Sequence, residues 1–254
     1  MGRFQPRLTL RTGLAIAGLV PLLLGACTTN PQSLEANDPF EPANRAILGF
    51  NVAADRAVVG PAAGVYRGVV PATGRRGISN FLTNLNQPVV FANLLLQGRP
   101  GPAFSTVSRF ALNTTVGVGG LFDVATEANI AEHDTDFGLT LGTWGVESGP
   151  YIVLPFLGPS SVRDASGRFV DRYPHPTWWL TGVRDGDAIW LVRAKTVLDL
   201  RVELDEAFSA LRESEGDPYA QLRTFYQQDR ARRLESGTLI PPGTSRTLRL
   251  EGQP

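Results

Sequence analysis

The sequence holds one cysteine, one methionine, two histidines and, among 24 basic residues, a single lysine, Lys195. One cysteine excludes an internal disulfide, although an exported protein could use them. Two histidines, His133 and His175, leave little imidazole for acid–base or metal chemistry. The run Glu132-His133-Asp134 with Asp136 could imitate a metal site, but consecutive polar residues in a loop are expected to be solvated rather than to converge on an ion. No Gly-x-Ser-x-Gly elbow and no Gly-Lys-Ser/Thr phosphate loop occurs. Gly117-Val118-Gly119-Gly120 carries Phe122 where a dinucleotide fingerprint has its last glycine, so those glycines are read as a tight turn or close helix packing and as a candidate hinge. No enzyme activity and no cofactor is therefore expected. Basic clusters are missing too: beyond residue 26 acids exceed bases by three, a poor fit to nucleic acid or to an anionic lipid surface. No apolar run reaches the roughly 20 residues of a spanning helix.

The N-terminus is informative. Arg3, Arg7 and Arg11 precede an apolar stretch, Gly13 to Leu24, and no acid stands before Cys27. Leu24-Gly25-Ala26-Cys27 then matches the bacterial lipobox. A basic start, a short apolar region and a small-residue cleavage site define a secretory signal. Residues 1–26 are thus expected to be removed, and Cys27 to be lipidated. A thioether there also disposes of a free thiol in an oxidising compartment. Thr28, in place of an aspartate, favours the outer membrane. Residues 27–37 read as a lipidated tether, 38–240 as one helical domain and 241–254 as a disordered tail.

Helical periodicity dominates that domain. Ile47, Phe50, Ala54 and Val58 mark 44–59. Ile78, Phe81, Leu85, Val89, Ala92 and Leu96 mark 78–96, where Pro88 predicts a kink. Phe104, Val107 and Ala111 mark 103–113, and Val197 to Leu211 mark 194–213. Asp217-Pro218 opens a helix over 218–235. Tyr151–Leu154 is a short strand or an extended apolar loop, and Ala188–Arg193 is ambiguous. The segments 89–96 and 152–157 are apolar on more than one face, so they are either deeply buried or in contact with lipid. Asn80, Asn84 and Asn93 fall near one another on the helical periodicity, with Ser79 and Thr83 close by. They either cap turns and face water or line an uncharged polar path.

Several motifs stand in order. They are Asp38-Pro39-Phe40-Glu41 with Asn44-Arg45 and Phe50-Asn51; Ile78-Ser79-Asn80-Phe81 with Asn84-Leu85; Arg109-Phe110 with Asn113-Thr114; Gly119 to Ala125; Asp136 to Gly142 with Trp144-Gly145-Val146 and Gly149-Pro150-Tyr151; Leu154-Pro155-Phe156; Arg163-Asp164; and Asp217-Pro218-Tyr219 with Tyr226. From about residue 38 to 237 this set closely resembles the MlaA (VacJ) family of outer-membrane lipoproteins. Pro42-Ala43 stand where that family has Gly-Phe.

The resemblance implies a mainly α, ring-like single domain of amphipathic helices, embedded in one leaflet of the outer membrane. A polar channel would pass mislocalised phospholipid from the outer leaflet to a periplasmic lipid carrier, beside a trimeric porin. Asn44, Arg45, Phe50, Asn51, Asn80, Asn84, Gly117, Gly119 and Gly120 are the candidate channel or gating positions. The competing readings are an envelope scaffold that binds porin without moving lipid, and a lipid-cleaving enzyme, for which no catalytic constellation stands in the sequence.

Overall fold

The computed structural model describes residues 28–176, 201 and 216–235. Cys27 and the signal segment, the ambiguous stretch 188–193, nearly all of the helix expected over 194–213 and the tail lie outside the described residues.

The chain enters through a helix, α1 (Pro31–Glu35), that the tether reading did not foresee. Asn30 accepts a hydrogen bond from the Gln32 N–H and Pro31 occupies the first turn, a pairing that starts even a very short helix. Ser33 is buried, and the Thr28 N–H donates 2.8 Å to the Pro39 carbonyl. Ser33 and the Thr28 N–H thus tie this otherwise largely exposed segment to the folded body.

Helix α2 (Glu41–Ala54) passes without a break into a π-helical turn (Asp55–Val59) and then α3 (Gly60–Val69). Helix α4 (Ala72–Leu96) continues through Pro88. It ends at Gly98, whose φ of 69° lets the Gly98 and Arg99 N–H groups reach back to Leu95 and Leu94 at 3.0 and 2.9 Å. That is the Schellman arrangement, which satisfies carbonyls the helix leaves open. Pro100 then opens α5 (Pro100–Thr115), so α4 and α5 form a helical hairpin packed on Val90, Leu94, Ala103 and Phe91.

Short helices α6 (Val124–Glu127) and α7 (Phe137–Thr143) lead to strands β1 (Tyr151–Leu154) and β2 (Gly158–Ser161). The strands pair antiparallel, Tyr151 opposite Ser161 and Leu154 opposite Gly158. Tyr151–Leu154 is thus the strand of the two alternatives. Helix α8 (Val162–Val170) begins under a Ser161 cap, and α9 (Pro218–Glu235) closes the described fold on a second cluster of Tyr151, Val153 and Tyr219 with Ile47 and Leu48. Gly138 in α7 and Gly167 in α8 make their crossing possible, because a Cβ on Gly138 would stand 2.9 Å from the Asp164 Cα.

The distribution of polarity is inverted relative to a water-soluble bundle. Among the described residues, buried polar and charged side chains outnumber buried apolar ones: Asp38, Asn44, Asn84, Gln87, Asn93, Arg109, Asn113, Arg163 and Asp164 all lie inside. Meanwhile Val58, Val65, Val69, Phe104, Phe122, Phe156 and Phe169 are each more than half exposed. The two segments apolar on several faces divide accordingly. Val89, Val90 and Leu94 are buried whereas Leu95 and Leu96 are exposed, and Val153 is buried whereas Phe156 and Leu157 are exposed. Among the described residues no helix is long and apolar enough to cross a membrane.

Candidate functional site

Asn44 and Asn51 act together. The Asn44 amide donates 3.1 Å to the Tyr151 carbonyl and accepts 2.8 Å from the Val153 N–H. Asn51 repeats this one step along, donating 3.0 Å to Leu154 and accepting 2.8 Å from Phe156. Asn44 therefore meets the edge of β1 that faces away from β2, and Asn51, a heptad further on, meets the turn that joins the two strands. A side-chain amide has the donor and acceptor of a peptide group, so Asn44 supplies at this edge what a neighbouring strand would. Asn44 also donates 2.8 Å to buried Asp38, whose other oxygen accepts from the Tyr219 hydroxyl and, at 2.8 Å, from Arg223. Burial first, then donation to Asp38, pushes the Tyr219 hydroxyl far above its ordinary range.

Arg45 lies outside this interior. It donates 2.7 Å to Glu41 and 3.0 Å to Asp217 and sits 4.3 Å over the Tyr219 ring, stapling the start of α9 to α2. Phe50 is half exposed and meets the exposed Phe156 edge-on, ring centres 5.2 Å apart. The segment expected to be functional is thus split, with its amides facing inward and its phenyl ring outward.

The glycine turn packs directly on α4. Gly119 and Gly120 donate 2.9 and 2.8 Å to Thr114 and Asn113, and the Phe122 N–H closes on Gly117 at 3.0 Å. A Cβ on Gly117 would overlap the Phe122 carbonyl oxygen and come 2.5 Å from that of Asn113; one on Gly120 would come 2.6 Å from the Asn84 Cβ. Gly119 faces open space at φ 72°. We therefore expect Gly117→Ala to cost about 2–3 kcal/mol by overpacking, and Gly119→Ala only the roughly 1–2 kcal/mol of a side chain at positive φ. Denaturant unfolding of the two variants gives the ranking, and the reverse order would contradict this account of the turn.

Asn80 and Asn84 lie under this turn. Asn80 donates 3.2 Å to the Leu121 carbonyl and Asn84 donates 2.9 Å to Thr114. Asn84 is buried and Asn80 half-buried, so both brace the turn rather than simply facing water. Gln87, one turn further on, was not singled out by the sequence, because a buried amide and an exposed one share the same letter; it is buried as well. Asn93 completes a separate network, donating 2.7 Å to Asp171 and accepting 2.8 Å from Thr140.

The polar run 132–136 is not solvated as expected. Its carboxylates are ionic partners of distant arginines: Asp134 accepts 3.0 Å from Arg233, and Asp136 accepts 2.6 and 2.8 Å from Arg230. Burial opposes the Asp136 charge, but Arg230 outweighs it and holds the carboxyl below the usual range. His133 is buried, and its pKa is lowered by burial, then by Arg109 and Arg99.

Asp171 behaves oppositely. Burial raises it to about 6 despite hydrogen bonds from the Phe137 N–H and Asn93. A carboxyl raised in the fold stabilises it fully below its unfolded pKa, near 3.8, and loses that contribution as the pH rises through about 6. Asp171→Asn keeps the oxygen that accepts from both groups. It should be more stable than the parent at pH 7.5, on the order of 2–3 kcal/mol, with the gap closing towards pH 4. A gap that does not change with pH would contradict this assignment.

The ordered motifs thus supply many of the buried polar contacts of this mainly helical fold. The MlaA lipoprotein family model matches residues 36–233. The chain belongs to the MlaA lipoprotein family. The intermembrane phospholipid transport system lipoprotein MlaA of Shigella flexneri is 36% identical over 232 residues, covering 89% of this chain and 90% of the relative. That of Escherichia coli (strain K12) is 36% identical over 231 residues, with the same coverage, and that of Haemophilus influenzae 34% over 229. A solved structure, from work on the structural basis for maintenance of bacterial outer membrane lipid asymmetry, superposes with a TM-score of 0.66 at 37% identity. It covers 76% of this chain and 96% of that chain. The mainly helical MlaA architecture thus carries over to this chain, and the buried amides and arginines described above are features of an MlaA fold.

Proposed function

We propose that this MlaA-family chain removes mislocalised phospholipid from the outer leaflet of the outer membrane and passes it through a polar interior to a periplasmic lipid carrier, without cleaving it. In this reading residues 1–26 are a signal, Cys27 carries the lipid anchor on the periplasmic side, and the helices sit within the inner leaflet beside a trimeric porin. The carrying observation is the inverted polarity: phenyl and aliphatic side chains outside, amides and paired charges inside. A phospholipid crosses a bilayer slowly because its charged headgroup is expensive in hydrocarbon. A protein that offers the headgroup uncharged polar groups and leaves the acyl chains in lipid lowers that barrier. A scaffold that only binds porin would need the apolar exterior but gains nothing from interior amide oxygens left unpaired, as at Asn84 and Gln87. The reading is tested by reconstituting the protein into vesicles with a headgroup-labelled phospholipid in one leaflet. Label that becomes inaccessible to an impermeant quencher faster than in empty vesicles supports it; equal rates count against it.

A further inference from the structure

We propose that the amide face of α4 selects phospholipids whose headgroup carries N–H or O–H donors, such as ethanolamine or glycerol, over a headgroup with none, such as choline. This rests on the transport reading above and specifies its substrate. Asn80, Asn84 and Gln87 stand at i, i+4 and i+7, so they share one face of α4 and span about 10 Å along it. The side-chain oxygen of each is shut off from solvent and has no hydrogen-bond partner among the described residues. An unpaired buried acceptor is expensive, and three in a row call for an explanation.

The orientation of two of these amides is fixed by chemistry. The Asn80 NH₂ points at the Leu121 carbonyl, 3.2 Å away, and the Gln87 NH₂ at the Thr83 carbonyl, 3.5 Å away. A carbonyl can only accept, so the nitrogen must face it and the oxygen is the atom left over. Pro88 adds to the same face, because it has no N–H to give the backbone carbonyl of Asn84. The face is therefore a strip of acceptors that lacks donors. Helix α4 contains no Asp or Glu, so it offers no fixed negative charge to hold a quaternary ammonium. A primary ammonium or a hydroxyl supplies the missing hydrogens; choline has none to give. The strip is covered at Asn80 and Asn84 by the glycine turn, through a 3.2 Å hydrogen bond to Leu121 and close packing of Gly120, and by Thr114, 2.9 Å from the Asn84 amide, so entry there exchanges these contacts for those of the headgroup.

The test uses the full-length lipidated protein, purified in detergent and offered mixed micelles with equal parts of phosphatidylethanolamine, phosphatidylglycerol and phosphatidylcholine of identical acyl chains. The retained lipid is extracted and quantified. One or two gained hydrogen bonds should enrich each of the first two over phosphatidylcholine by about three- to tenfold. Gln87→Leu should pull that ratio towards one while unfolding at no lower temperature than the parent, since it removes an unpaired oxygen. Gln87→Glu adds the fixed negative charge that the face lacks and should narrow the discrimination against choline. Equal retention of all three lipids by the parent would overturn the selection but leave transport standing. No phospholipid retained would overturn transport and the selection with it. Unchanged preference in Gln87→Leu would mean that the Gln87 oxygen holds water alone and would overturn the proposal.

Discussion

Arg109→Met will destabilise the fold by about 3–5 kcal/mol, because it strands a carboxylate rather than merely removing a cation. Arg109 is 2% exposed and ties α5 to the segment around α6. It donates 2.6 Å to the Ile130 carbonyl, 2.9 Å to both oxygens of Asp123 and 3.0 Å to Thr126. Burial works against the Asp123 charge, and Thr126, Arg109 and Asn113 together overcome it and hold the carboxyl below its usual range. Asn113 in turn accepts 2.9 Å from the Ala125 N–H, so the same residues close the glycine turn. Methionine fills much of the volume but leaves Asp123 to three neutral donors, the Asn113 amide and the Thr126 N–H and hydroxyl. Denaturant unfolding measures the loss, and adding Asp123→Asn to Arg109→Met should recover part of it. A single variant within about 1 kcal/mol of the parent would show that the network is not a unit.

Cys27→Ala will move the protein out of the membrane fraction. A single acyl chain binds a bilayer only marginally, with a constant of about 10⁴ M⁻¹, and each additional buried CH₂ contributes ~0.8 kcal/mol, so a multiply acylated cysteine anchors stably where one chain would not. The apolar side chains exposed on the fold contribute area but form no spanning helix among the described residues. Fractionation of cells producing each form is the measurement. Recovery of the variant in membranes as fully as the parent would transfer the anchoring role from the lipid to the protein surface.

Helix identity was legible where a single stripe of apolar residues repeats. The reading of 218–235 coincides with α9, since Asp217-Pro218 marks its start, and 44–59 and 103–113 fall within the helical stretches Glu41–Val59 and Pro100–Thr115. What periodicity leaves open is the environment. It locates the apolar face of a segment such as 89–96 but not whether protein or lipid covers it. Contacts across long separations were equally hidden: Asp136 and Arg230 are 94 residues apart, and a local run of polar residues looks solvated until its partners are known. Asn44 and Asn51 stood out as motif residues, but their task depends on β1, more than 100 residues away. Asn30-Pro31 carried a legible helix start that the lipobox nearby obscured.

The most direct test of the transport account is the amount of phospholipid in the outer leaflet, read by an outer-membrane acyltransferase or phospholipase reporter in cells with and without this gene. The account predicts a rise on deletion, reversed by the intact gene but not by a Cys27→Ala copy. No change on deletion, with the protein present in the parent strain, would contradict it and favour an envelope scaffold.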